Sequence, residues 1–263
     1  MPRSTAPSTR PSAGYALSDL TYAEVEAILA SDTRRVALLP VGSTEAHGPH
    51  LPLATDSIIA EGMTNSALAV LAARGYTAIA FPALHYAVTD WAGTFAGSTS
   101  LPAATSTALI RDTAISAKRM GFDRVVLVNA HLEPAHLTTL RDAARSYADA
   151  IGEPLLFPDK TRRRVAEQLT DEFKSGSCHA GQYETSIVLA LRPDLVKTEI
   201  AAKLPDHVVA LHEHIQRGAQ NFEDCGLDQA YCGAPRKASA KEGHATLALL
   251  ARVIADAVDQ SFA

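Results

Sequence analysis

The sequence predicts an α/β fold, a three-layer α/β/α sandwich around a mainly parallel sheet. Short apolar runs, RVALLPVG at 35–42, TAIAFPAL at 77–84 and RVVLV at 124–128, alternate with longer stretches of helical character. Each run is too short for a helix and leads into a turn-rich loop, as buried strands do. Strand alternating with crossover helix is the pattern of parallel pairing covered by helices.

Taken in order, residues 1–14 are rich in Pro, Ser, Thr and Arg and are expected to form a disordered tail, leaving 15–263 as one domain. LSDLTYAEVEAILA (17–30) reads as the first helix, with Ser18 or Thr21 able to cap it. The strand at 35–42 runs into GSTEAHGPHLPLATD (42–56), and a helix follows in DSIIAEGMTNSALAVLAARG (56–75). The second strand precedes a helix near ATSTALIRDTAISAKRMG (104–121), and the third runs into NAHLEPAH and another helix. In GSCHAGQYETSIVLALRPDLV (176–196) a helix is ended by Pro193, with Tyr183, Ile187 and Leu191 on one apolar face. After a Gly-Ala-Pro turn, the last long amphipathic helix belongs to the core, while Arg236, Ser239 and Lys241 ahead of or within its start read as solvated surface.

Composition narrows the function classes. The 263-residue chain carries a formal charge of −5 with scattered Lys and Arg, so no basic field for a nucleic-acid partner is expected. No apolar run reaches the ~20 residues that cross a bilayer, and the N-terminus lacks the apolar core of a secretory signal. A cytoplasmic protein without membrane partners is the expectation. Its three cysteines, Cys178, Cys225 and Cys232, form no CxxC pair and are expected to be reduced thiols.

The chemistry concentrates in the loops after two strands. Open parallel sheets bind ligands beyond the carboxyl ends of their strands, and that edge can bring these two loops together. Glu45 and His47 are two apart, Asp56 follows at a helix start, and His131 with Glu133 repeats the two-residue spacing. One His-x-Glu pair in a loop is ordinarily solvated surface; two such pairs with Asp56 make a plausible set of metal ligands. Two divalent ions carry +4, three carboxylates −3, and one hydroxide would neutralise the rest, which suits hydrolytic two-metal chemistry with Asp56 as bridge. Nitrogen and oxygen donors without sulfur favour Zn²⁺ or Mn²⁺. His50 and His136 read as hydrogen-bonding residues rather than ligands.

Two other metal patterns fail. HExxH requires both histidines on one helix, whereas the order here is His131-Leu132-Glu133-Pro134, with the proline expected to spoil the helix start. The HxE of zinc deaminases needs a later PCxxC, and no CxxC exists. His179 stands just before a helix, with room either to face a cleft as general acid or base or to be a satisfied helix-start histidine.

These stretches are similar to the creatininase family. GSTEAHGPHLPLATD resembles its Gly-Ser-x-Glu-x-His-Gly-Pro-His-Leu-Pro-Leu-x-Thr-Asp signature; FAGSTSL, CHAGQYETSIVLAL and YCGAPRKASAKEG resemble three later motifs in order. The resemblance implies an α/β/α sandwich, two metals, amide hydrolysis and a homohexamer built as a trimer of dimers. It implies Glu45, Asp56 and His131 on one metal and His47, Asp56 and Glu133 on the other. His179 becomes the proton donor to a leaving nitrogen, with Glu184 orienting it or a substrate N–H.

Two departures refine the expectation. Many relatives have a glutamate where this chain has Gln182 and lack one at Glu133, so the loss is matched by a gain, as in the creatinine-hydrolysing branch. That branch places a tyrosine where Leu132 stands and lines its pocket with tryptophans, whereas Trp91 is the sole tryptophan here. The expected substrate is therefore a cyclic amide, creatinine-like or a lactam or imide. A formamide or peptide hydrolase is the alternative, and a non-catalytic metal-binding accessory protein the rival from another class.

Overall fold

The computed structural model describes residues 14–263, so all of the expected tail except Gly14 lies outside the described residues. Four parallel strands form one sheet: β1 (Tyr15–Ala16), β2 (Arg34–Val41), β3 (Tyr76–Ala80) and β4 (Arg124–Asn129), in the spatial order β1-β3-β2-β4. The helices in chain order are α1 (Tyr22–Leu29), α2 (Thr55–Ala73), α3 (Ala103–Met120), α4 (Pro134–Ile151), α5 (Arg163–Ala166), α6 (Asp171–Ser175), α7 (Gln182–Leu191), α8 (Thr198–Ala201), α9 (Leu211–Gln216) and α10 (Ala240–Phe262).

The alternation of side chains along β2 explains the three layers. Val36 and Leu38 point to one face, into a core shared with α2, α7 and α10; Ala37, Leu39 and Val41 point to the other, against Ile110 of α3 and Leu140 of α4. A strand buried on both faces must be apolar at successive positions, which is why the run lacked a polar alternation.

Local chemistry sets the helix ends. Thr21, not Ser18, caps α1, in a reciprocal capping box with Glu24. The preceding Leu17–Asp19 is a short 3₁₀ turn, so the expected first helix starts later than its sequence suggested. Pro134 does not spoil a helix: it opens α4 as its first residue, where the missing N–H costs nothing. His131 and Glu133 therefore precede the helix rather than riding on it.

Candidate active site

The strand register brings the two loops together. Val41, the last residue of β2, pairs with Asn129, the last residue of β4, so both loops leave the same sheet edge side by side. Gly42 then lets α2 approach: a Cβ there would stand 2.5 Å from the Ser57 nitrogen and 2.6 Å from its Cα. The close approach places Asp56 within reach of Ser43, whose Oγ donates to Asp56 Oδ2 at 2.7 Å. In the other loop Asn129 Nδ2 donates to the His131 carbonyl at 2.6 Å, while its Oδ1 lies 2.9 Å from His136 Nε2.

Glu45, His47, Asp56, His131, Glu133, His179 and Glu184 are all buried and converge. His131 Nδ1 lies 3.1 Å from Glu45 Oε1 and 3.0 Å from Asp56 Oδ2. His47 Nε2 lies 3.6 Å from Asp56 Oδ1, 3.7 Å from Glu45 Oε1 and 3.5 Å from Glu184 Oε2. Asp56 thus presents one oxygen to each histidine. Glu133 groups with Glu45 and His131, while His47 and Asp56 group with Glu184, with donor atoms within 4.8 Å in each set. The resemblance had paired Glu133 with His47 and Asp56; in the structure Glu184 stands in that position.

The imidazoles are oriented for metal ligation. His131 Nε2 lies 2.8 Å from the Val88 carbonyl, and His47 Nδ1 lies 3.1 Å from the Glu45 carbonyl. A carbonyl only accepts, so each of these nitrogens donates, and the other nitrogen of each ring faces the carboxylates. His47 Nε2 and Glu45 Oε2 are buried with no hydrogen-bond partner among the described residues, as expected of atoms whose partner is a cation. The residues present therefore fit a pair of divalent ions. Cys178 borders the same cavity but belongs to none of the three donor groups, and burial pushes its thiol well above its ordinary value.

The electrostatics also call for positive charge. Burial opposes protonation of His47, but Asp56, then Glu184 and Glu45, together push it up to about 10. His131 is likewise raised, with burial outweighed by Glu45 and Asp56. Burial pushes Glu133 up to about 7 against the pull of His131, and Glu184 up to about 7 against that of His47.

Glu133 and Glu184 are held by backbone donors. Glu133 accepts from the Asp90 and Trp91 nitrogens at 3.2 and 3.1 Å, and Glu184 from the Ala180 nitrogen at 2.7 Å. Ala180 has φ +51°, a left-handed conformation unusual for a residue with a Cβ. It turns the chain between His179 and α7 so that both His179 and Glu184 face inward. The His179 ring centroid is 4.4 Å from that of His47 and 4.3 Å from that of Phe222, with Nε2 3.0 Å from the Ala46 carbonyl. Burial, reinforced by His47, holds its imidazole well below its ordinary value.

Other expected residues settle elsewhere. His50 contacts Thr185 Oγ1 at 2.9 Å and His136 contacts Asn129, as hydrogen-bonding residues do. Arg236 pairs with Asp206, and the Ser239 side chain caps α10. Trp91, named in the sequence only as its sole tryptophan, lines the cavity together with Leu211, Ile215 and Phe222, which were not singled out for it. Only their apolar character marked them in the sequence, and core residues share it.

A model of the creatininase family, described as creatinine amidohydrolase, matches residues 18–258. A creatinine amidohydrolase of Pseudomonas putida is 28% identical, covering 94% of this chain and 96% of its own. A mycofactocin precursor peptide peptidase of Mycobacterium tuberculosis (strain CDC 1551 / Oshkosh) is 31% identical, covering 81% of this chain and 80% of its own. Among solved structures, a creatinine amidohydrolase superposes with a TM-score of 0.73 at 25% identity, covering 94% of this chain and 97% of its own. The chain belongs to the creatininase family of metal-dependent amidohydrolases.

Proposed function

We propose that the chain hydrolyses the C–N bond of a small cyclic amide, using two divalent ions, Zn²⁺ or Mn²⁺. Solved relatives include a manganese form and a Zn–Zn form of creatininase. Glu45, His131 and Asp56 would hold one ion, with Glu133 beside them; His47, Asp56 and Glu184 would hold the other. The observation that carries the reading is the division of Asp56, Oδ1 toward His47 and Oδ2 toward His131, as a bridging carboxylate requires. Four buried carboxylates balance two divalent ions without a further anion, which revises the three-carboxylate arithmetic drawn from sequence. Bound there, the ions supply Lewis acidity and lower the pKa of water toward ~7.

The chain's own groups handle the protons and the geometry. Glu133, gripped through both oxygens and raised to about 7, can hold a proton taken from water. His179 uses Nε2 to bond the Ala46 carbonyl, leaving Nδ1 to carry a proton to the departing nitrogen. A neutral imidazole is needed to pick that proton up, and burial keeps His179 neutral. Phe222 and Trp91 exclude water from the side of the cavity where the ring would sit.

A peptide-cleaving role is the second reading, favoured by the 31% identical peptidase relative. The homohexamer implied by the resemblance and the cytoplasmic location expected from composition belong to the same proposal, and sedimentation tests the assembly. Among the described residues no helix is long and apolar enough to cross a membrane.

The test is metal content by elemental analysis, joined to hydrolysis of a panel of lactams, imides and short peptides. About two ions per chain are expected, falling to about one in Glu184→Gln, with ring opening abolished by chelation and restored by Zn²⁺ or Mn²⁺. Retention of no metal after both are supplied, or turnover indifferent to chelation, would sink the reading. Peptide cleavage without ring opening would select the second one.

A further inference from the structure

The cavity over the donor cluster has two chemically distinct halves. Its floor is the carboxylates and imidazoles; its walls and roof are Trp91, Leu132, Pro134, Leu211, Ile215 and Phe222. Among the described residues no lysine or arginine lines it. Lys160 is buried, but it is not among the lining residues. The enclosed volume is about 70 Å³, far below that of pockets that take drug-sized ligands.

The wall and the roof are held by different contacts. Phe222 is buried against Trp91, ring centroids 5.9 Å apart, and its nitrogen donates to the Trp91 carbonyl at 3.2 Å. Leu132 lies in the short loop between β4 and α4, tethered by the Asn129 side chain at the neighbouring carbonyl. The roof is α9, whose Leu211 and Ile215 are four apart and so share a face. Ile215 is 37% exposed, and the Leu211 nitrogen bonds the Gly176 carbonyl at 3.2 Å. The chain ahead of α9 is pinned by the paired His207–Gly233 backbone bonds at 2.8 and 2.7 Å.

We infer that the substrate is an uncharged amide carrying a short branched hydrocarbon beside the scissile bond, and that Leu132, Leu211 and Ile215 determine this specificity. The inference rests on the amide-hydrolase reading for where the scissile bond lies. A hydrocarbon seated on this wall leaves water and stays in contact with apolar atoms on several sides. A carboxylate in the same place would lose its hydration without gaining a cationic partner. Each methylene that such a pocket recognises is worth about tenfold or more in discrimination.

The test uses three hydroxamates of one binding group and different tails: acetohydroxamate, 3-methylbutanohydroxamate and the monohydroxamate of succinate. Each is titrated calorimetrically into the metal-loaded full chain. The branched probe is expected to bind about tenfold or more tightly than acetohydroxamate, and the succinate probe no more tightly than acetohydroxamate. In Leu211→Ala/Ile215→Ala the advantage of the branched tail collapses toward one, whereas Ile215→Leu preserves most of it; metal content and circular dichroism verify that the variants are folded. Equal affinities, tightest binding of the succinate probe, or an advantage that survives the double variant would each overturn the inference. Hydrolysis of the cyclic-amide panel is scored separately. A branched-tail preference without ring opening would remove the reaction assignment and keep the inference, while ring opening without the preference would do the reverse.

Discussion

His131 lies with Nε2 2.8 Å from the Val88 carbonyl, which fixes the proton on that nitrogen and turns Nδ1 toward Glu45 and Asp56. His47 is set in the same way through its Nδ1 and the Glu45 carbonyl. With both rings raised above their ordinary value by the carboxylates, the chelated protein holds an imidazolium at each at pH 7. An ion must displace the second proton from each ring. Loading with Zn²⁺ at pH 7 is therefore expected to release about two protons per chain or more. Calorimetry in buffers of different ionisation enthalpy measures the number. Release of none would show that these rings do not coordinate.

The same shifts predict how stability depends on pH. His47 is raised from 6.5 to about 10, so in the chelated protein its contribution is full below 6.5 and is lost as pH rises toward 10. His50 is lowered to about 4, chiefly by burial and then by His47, so its contribution is present above 6.5 and lost as pH falls toward 4. Thermal midpoints of chelated protein should peak near pH 6.5 and decline on both sides. The loaded protein should lack the alkaline decline up to pH 9. A chelated protein whose midpoint rises from pH 6.5 to 9 would contradict the assigned environment of His47.

His179 is placed to move a proton and belongs to neither the His47–Asp56–Glu184 group nor the Glu45–His131–Glu133 group. Its replacement by alanine should leave about two ions per chain and lower kcat by about 10²–10⁴-fold on whichever amide the panel identifies. Elemental analysis and steady-state kinetics separate the two effects. Loss of an ion in His179→Ala would instead make it a ligand, as its grouping with Glu45 and His47 permits.

Much of this site was legible because it is local. Glu45, His47 and Asp56 share one strand-to-helix loop and His131 and Glu133 another, and parallel pairing of Val41 with Asn129 joins them. Glu184 was legible as a residue near the site but not as a member of the His47 set. Its reach depends on the left-handed turn at Ala180, and nothing in an alanine announces positive φ. The roof helix α9 was missed because six residues, four of them exposed, in an irregular stretch carry no periodicity long enough to read. The two-residue strand β1 escaped for a similar reason: pairing with β3, and not local propensity, defines it.

Gly42 has a steric role that a single methyl group tests. In Gly42→Ala the new Cβ meets backbone atoms of Ser57, which cannot rotate away as a side-chain tip can. The start of α2 must move, and Asp56 moves with it. The expected cost is about 1–3 kcal/mol, read by urea unfolding of chelated protein, together with fewer bound ions. A stable variant with two ions would mean that the helix start has slack the packing does not show.

Lys160 poses the last question, because a buried ammonium without a hydrogen-bond partner is costly. Its Nζ has none among the described residues, the residue is 3% exposed, and the Nζ sits 5.6 Å from the Tyr183 ring centroid. Burial lowers its pKa despite attraction from Glu184 and Asp56, so the environment disfavours the charge on balance. Lys160→Met keeps the stem's packing and removes the ammonium. Stability at pH 7 should be unchanged or higher by up to about 1 kcal/mol, raising the thermal midpoint by roughly 2–4 °C. A loss of more than about 2 kcal/mol in chelated protein that disappears on metal loading would reverse the conclusion. It would show that the lysine supplies the positive charge the carboxylates require when the ions are gone.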